Sequence, residues 1–122
     1  RAAEELVFGP DRVTGGAESD LVHVNRIARA MVHRLGMGER TGLLVLDREG
    51  VPLAPETQAL MDAEVRALLE RLHERARSLL EANRSALDAL AEALLERETL
   101  DGTEALRILA AHGLPVPQPA AA

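Results

Sequence analysis

From Leu21 the apolar positions Val24, Ile27, Ala28, Met31, Val32 and Leu35 recur at steps of three and one, the spacing of one face of a helix. Glu18, Ser19 and Asp20 precede that stripe and supply acidic and capping residues for its start, and Gly36 follows its last member. A longer stripe runs from Met61 through Val65, Leu68, Leu69, Leu72, Ala76 and Leu79 to Leu80. Pro55-Glu56-Thr57 opens it, with proline suited to the first helical position, so one helix is predicted to continue to about residue 82. The face opposite the stripe carries Glu64, Arg71, Glu74 and Arg75 and is predicted to be solvated. Ser85 with Asp88 reads as a capping box ahead of Leu87, Leu90, Ala91, Leu94 and Leu95. Asp101 with Glu104 repeats the device before Leu106, Ile108 and Leu109, and Gly113 closes that last helix. Residues 1–8 are helix-prone up to the breaker pair Gly9-Pro10, and Thr14, Gly15 and Gly16 read as a loop. Leu43 to Leu46 departs from the pattern, a short apolar run before the turn-like residues 47–50. The prediction is an all-α fold: an antiparallel helical bundle over residues 1–112, with at most one short strand or hairpin around 43–53. The Pro- and Ala-rich residues 113–122 are expected to be a disordered tail.

Composition then removes whole classes of function. There is no cysteine, which excludes disulfide scaffolds, thiolate zinc sites and cysteine nucleophiles. All fourteen basic residues are arginine, against twenty carboxylates, for a net charge of −6 with no basic block. Phe8 is the one aromatic residue, so stacking platforms are absent as well, and no nucleic-acid partner is expected. No apolar run approaches the ~20 residues that span a bilayer. The first residue is Arg1 and nothing reads as a signal peptide, so the sequence is expected to be part of a longer protein.

The residues by themselves offer little chemistry. The sequence has neither a Walker loop for ATP nor an HExxH pair of histidines for zinc. His23, His33, His73 and His112 lie far apart, and His73 and His112 read as surface residues. Asp20 and His23 share a helix face and would suit a local metal, against the plainer reading of His23 as an exposed side chain on an arginine-rich face. Carboxylates are favoured in the first turn of a helix, so Asp20 reads as a capping residue and Glu4 and Glu5 as helix solvation.

Several segments in order shift that reading. RAAEELVFG at 1–9, TGGAESDL at 14–21, RIARAMV at 26–32 and LGM at 35–37 resemble successive motifs of FtsH-like, ATP-dependent zinc metalloproteases. ETQALMDAEVRALLE at 56–70 and ERARSLLEANRSALDALAEALLERETLDG at 74–102 continue the resemblance. It implies the C-terminal helical part of a peptidase domain, in which zinc is held by two upstream histidines and an aspartate. The matching aspartate is Asp20, the catalytic base and both histidines being expected upstream of this chain. Glu4, the first glutamate of AEE, resembles a residue that steadies such a site, and Glu5 is the weaker candidate. The resemblance further implies unfolded protein substrates, ATP bound elsewhere in a homo-hexamer, and membrane anchoring through N-terminal segments with this domain on the cytoplasmic side. Gly15 and Ser19 depart from the usual threonine and asparagine, and His73 stands where an aromatic residue is common. The segment from Gly42 to Pro55 is shorter than usual, which leaves substrate handling open. The chain alone is expected to be inactive. Two alternatives stand beside this reading: a catalytically degenerate FtsH-like module serving assembly or protein interaction, and an unrelated helical bundle that binds a partner.

Overall fold

The computed structural model describes residues 1–45 and 52–115, and their regular structure is helical. The helices are α1 (Ala2–Phe8), α2 (Glu18–His33), α3 (Pro55–Ala82), α4 (Arg84–Arg97) and α5 (Gly102–Ala111). Two 3-10 turns, Pro10–Arg12 and Gly15–Ala17, lie between α1 and α2. The all-α expectation is met. Among the described residues there is no strand, only a single bridge between Gly38 and Gly42. The remainder of the expected hairpin, residues 46–51, and residues 116–122 of the expected tail lie outside the described residues. Among the described residues no helix is long and apolar enough to cross a membrane. The chain divides into two compact units, residues 1–76 and residues 77 onward.

In the first unit α2 and α3 run antiparallel. Ala28 and Val32 of α2 cluster with Val65, Leu68 and Leu69 of α3, and Arg29 reaches Asp62 at 3.0 Å beside them. Met61 is 0% exposed, and burying a side chain of that size contributes about 1.5–3 kcal/mol. The predicted α2 stripe is used over only part of its length, since Leu21, Val24, Ile27 and Leu35 remain exposed. The helix also stops earlier than expected, at His33. Gly36 then takes φ 64°, and a Cβ there would lie 3.0 Å from the Cα of Leu43, so a glycine is needed to turn the chain back.

The start of α2 differs from the expectation too. Its N-cap position is Ala17, with no side-chain capping bond, and Glu18 and Asp20 fall inside the first turn. The partial positive charge of the helix start still favours both carboxylates there.

A turn at 38–42 is closed by the N–H of Gly42 donating to the carbonyl of Gly38 at 3.0 Å. Glu64 of α3 holds it, accepting from the Arg40 N–H and, at 2.7 Å, from the hydroxyl of the buried Thr41. The prediction of a solvated Glu64 is therefore overturned: the side chain is half-buried and ties a turn to α3. Gly38 packs directly against the Thr41 hydroxyl and the Glu64 carboxylate. Arg71, on the same face, remains exposed and pairs with Glu39 at 2.7 Å.

The second unit is a helical hairpin. Ser85 and His112 meet at 3.1 Å at one end of α4 and α5, and Arg97 and Glu104 pair at the other, which makes the two helices antiparallel. Asp101 caps α5 as predicted, its carboxylate accepting from the Glu104 N–H at 2.8 Å. Ser85 does not cap α4. That helix begins at Arg84 after Asn83, and Asp88 turns to Arg84 at 2.9 Å. Ala86 is the buried residue of α4, while Leu94 and Leu95 of the predicted stripe face solvent.

Candidate metal centre

The candidate residues stand on two neighbouring segments, α1 and the start of α2, joined by a side chain between them. Glu4 is half-buried on α1, and its Oε1 accepts from the Thr14 hydroxyl at 2.7 Å. Thr14 Oγ1 in turn accepts from the N–H of Gly16 at 3.3 Å, which fixes the Gly15–Ala17 turn. Ala17 is buried at the end of that turn, and Asp20 follows as the third residue of α2. One hydroxyl thus locks α1 to the segment that carries Asp20. Sequence spacing showed Thr14 only as a loop residue.

The two carboxylates differ in what they leave open. Glu4 Oε2 is buried without a hydrogen-bond partner among the described residues, a costly state for a carboxylate oxygen. Asp20 is exposed, and its side chain makes neither a capping bond nor an ion pair among the described residues. Glu5, by contrast, is fully engaged. Its carboxylate meets His73 Nε2 at 2.8 Å and the Arg1 Nε at 2.6 Å. The His73 bond chiefly, opposed by partial burial and helped by Arg1, holds the Glu5 carboxyl below its ordinary value of 4.5. The reading of Glu5 as a solvated helix residue, and of His73 as a plain surface residue, is corrected: together they tie α1 to α3.

The histidines of this chain do not gather around Asp20. Arg26 donates to His23 Nδ1 at 3.2 Å; a guanidinium has no acceptor, so the ring proton lies on Nε2. Nδ1 is therefore taken by the Arg26 cation, which disfavours a metal at His23 and Asp20. His73 is taken by Glu5 and His112 by Ser85. Among the described residues no three His, Asp or Glu side chains come together as a metal site. The donor set nonetheless suits one corner of a zinc centre. An unengaged carboxylate is a proper zinc ligand when imidazoles complete the set. A buried carboxylate oxygen lacking a donor is what a ligand histidine uses to orient its second ring nitrogen.

The sequence matches peptidase family M41 over residues 1–108. It is 43% identical over 109 residues to the ATP-dependent zinc metalloprotease YME1 homolog of Schizosaccharomyces pombe, covering 89% of this chain and 15% of that protein. Against ATP-dependent zinc metalloprotease FtsH 3 of Synechocystis it is 42% identical over 122 residues, covering 90% and 20%. Against FtsH 2 of Symbiobacterium thermophilum it is 46% identical over 114 residues, covering 90% and 19%. The chain therefore spans a fifth or less of the length of these relatives. Both the Glu4 and the Asp20 segments fall inside the matched residues, and the chain belongs to peptidase family M41, the FtsH-like proteases that its motifs resemble.

Proposed function

We propose that this chain is the aspartate-bearing helical part of an ATP-dependent zinc metalloendopeptidase that degrades unfolded or membrane proteins. The supporting observation is the line of bonds from Glu4 through Thr14 to the turn before Asp20, whose carboxylate has no partner among the described residues. Asp20 contributes one oxygen ligand, and two imidazoles from outside these residues complete the set. Glu4 presents its buried Oε2 to the ring N–H of one of those imidazoles and so fixes its orientation. Zinc held by that set would lower the pKa of a coordinated water and polarise a scissile carbonyl. The full-length protein is a membrane-anchored homo-hexamer, with this module on the cytoplasmic side and ATP bound by another part of the chain.

In the full-length protein Asp20→Ala abolishes casein cleavage while ATP hydrolysis continues. Retained cleavage removes Asp20 from the site. A wild-type protein that assembles but neither holds zinc nor cleaves casein makes this a degenerate assembly module instead. The 122-residue chain by itself should show no zinc binding tighter than about 1 μM by calorimetry, because one carboxylate is too few ligands. A tight one-to-one site in that titration would bring a local histidine to Asp20.

A further inference from the structure

Helix α1 carries Glu4, yet packing does little to hold it. None of its seven residues is fully buried. Beside its first turn lies an open groove of about 450 Å³, lined by Leu21, Val24, Leu69 and Leu72, with Glu5 and His73 also on its wall. Ala2, Ala3 and Leu6 are half-buried, and two hydrogen bonds from the glutamates add to their packing. Glu4 is tied to Thr14, ten residues on, and Glu5 to His73, on α3 and 68 positions away. The first bond joins α1 to another light loop; the second joins it to the helix that contains Met61 and Val65, the buried core.

From this arrangement we infer that His73 is a positioning residue for the metal centre, pinning α1 to α3 through Glu5 and thereby setting where Glu4 stands. His73 bonds to Glu5, and to neither Glu4 nor Asp20. It acts at one remove, by fixing the rotation of α1 about its own axis. Adjacent residues on a helix point about 100° apart. A loss of the Glu5 anchor therefore swings the neighbouring Glu4 carboxylate off its target without unfolding the helix pair. The Nε2–H is the group that matters, so a donor at the same reach serves in its place.

This inference rests on the zinc reading above, and the test separates the two. Full-length protein would be loaded with zinc and challenged with a chromogenic chelator, with ATP hydrolysis and thermal unfolding recorded in parallel. His73→Leu is expected to release zinc about tenfold faster, in the range for residues that orient a metal ligand. His73→Gln, which restores an N–H donor, should release it within about twofold of wild type, on the same scale. Because the two residues act through one bond, Glu5→Leu combined with His73→Leu should release zinc no faster than the worse single variant. Wild-type zinc release from a folded His73→Leu protein, failure of glutamine to rescue, or additive losses in the double variant would each overturn the inference. Should Asp20→Ala still retain stoichiometric zinc, the zinc reading itself fails and the inference falls with it. Loss of zinc in Asp20→Ala beside wild-type release in His73→Leu sinks the inference alone.

Discussion

The first 76 residues and the α4–α5 hairpin are built by different rules. In the hairpin the bonds are local or join adjacent helices: Asp101 caps α5, Arg84 pairs with Asp88, and Arg97 with Glu104. The hairpin's longest reach is Ser85 to His112, across 27 positions. In the first unit two polar side chains reach further along the chain, Asp62 to Arg29 across 33 positions and Glu5 to His73 across 68, while Glu64 meets Thr41 across 23. The buried apolar residues follow the same division, with Ala17, Ala28, Val32, Met61 and Val65 in the first unit and Ala86 in the second. The unit that carries the candidate site is thus the one held by long-range contacts. A site assembled from several segments needs such ties, whereas a hairpin can form from neighbouring turns.

That contrast can be tested by breaking each kind of tie in turn, with urea unfolding followed by circular dichroism and by hydrogen exchange of each unit. Met61→Ala should have the largest effect, about 3 kcal/mol, because it empties a fully buried position. Its exchange signature should be confined to residues 1–76. Glu64→Ala comes next at about 2 kcal/mol, since the Arg40 N–H and Thr41 hydroxyl lose a charged acceptor. Faster exchange of the 38–42 amides should report it. Asp101→Ala should cost about 1 kcal/mol and loosen the start of α5 alone. If it also loosened α2 and α3, the division into local and long-range construction would be wrong.

Acid should separate the units more gently. Hydrogen bonds from Gln58 and Arg29 hold the Asp62 carboxyl below its ordinary 3.8. For Glu64, burial pushes upward, but the Arg40 and Thr41 N–H groups and the Thr41 hydroxyl outweigh it, and the carboxyl lies below 4.5. Glu5 is lowered as well. A lowered folded value means stability that is complete above the unfolded value and is lost as pH falls through the folded one. Residues 1–76 should therefore begin to open as pH drops below about 4.5, and protection of the 38–42 amides across an acid titration measures it. Smallest of all, Leu95→Ser should change stability by less than about 0.5 kcal/mol, because Leu95 is 84% exposed.

How far the sequence foretold this follows the same line. Local signals were read correctly: Pro55 starts α3, Asp101 caps α5, and Gly9 and Gly113, both at positive φ, end their helices. Some local signals misled because two groups competed for one side chain. Ser85 turns to His112 and Asp88 to Arg84, which leaves α4 without its expected capping box. The apolar stripes gave the right helices but overstated burial, since Leu21, Ile27, Leu94 and Leu95 stay exposed. Glu64 and His73 could not be placed by spacing at all, because a period of 3.6 names a face and not the loop or helix that will meet it. For the candidate site, physical reading of the residues favoured capping and solvation. The family resemblance singled out Asp20 and Glu4, and the geometry adds Thr14 as the link between their segments.

The glycine at 38 carries a consequence for how this protein can vary. Any side chain there would occupy the space in which Thr41 and Glu64 meet, so the turn and its tie to α3 would be lost together. Gly15 and Gly102 have open space around the position a Cβ would take. In a saturation library scored for folding, codon 38 should admit almost no exchange, while codons 15 and 102 tolerate many. Descendants of this sequence would be free to drift at the two open glycines and would inherit the third unchanged.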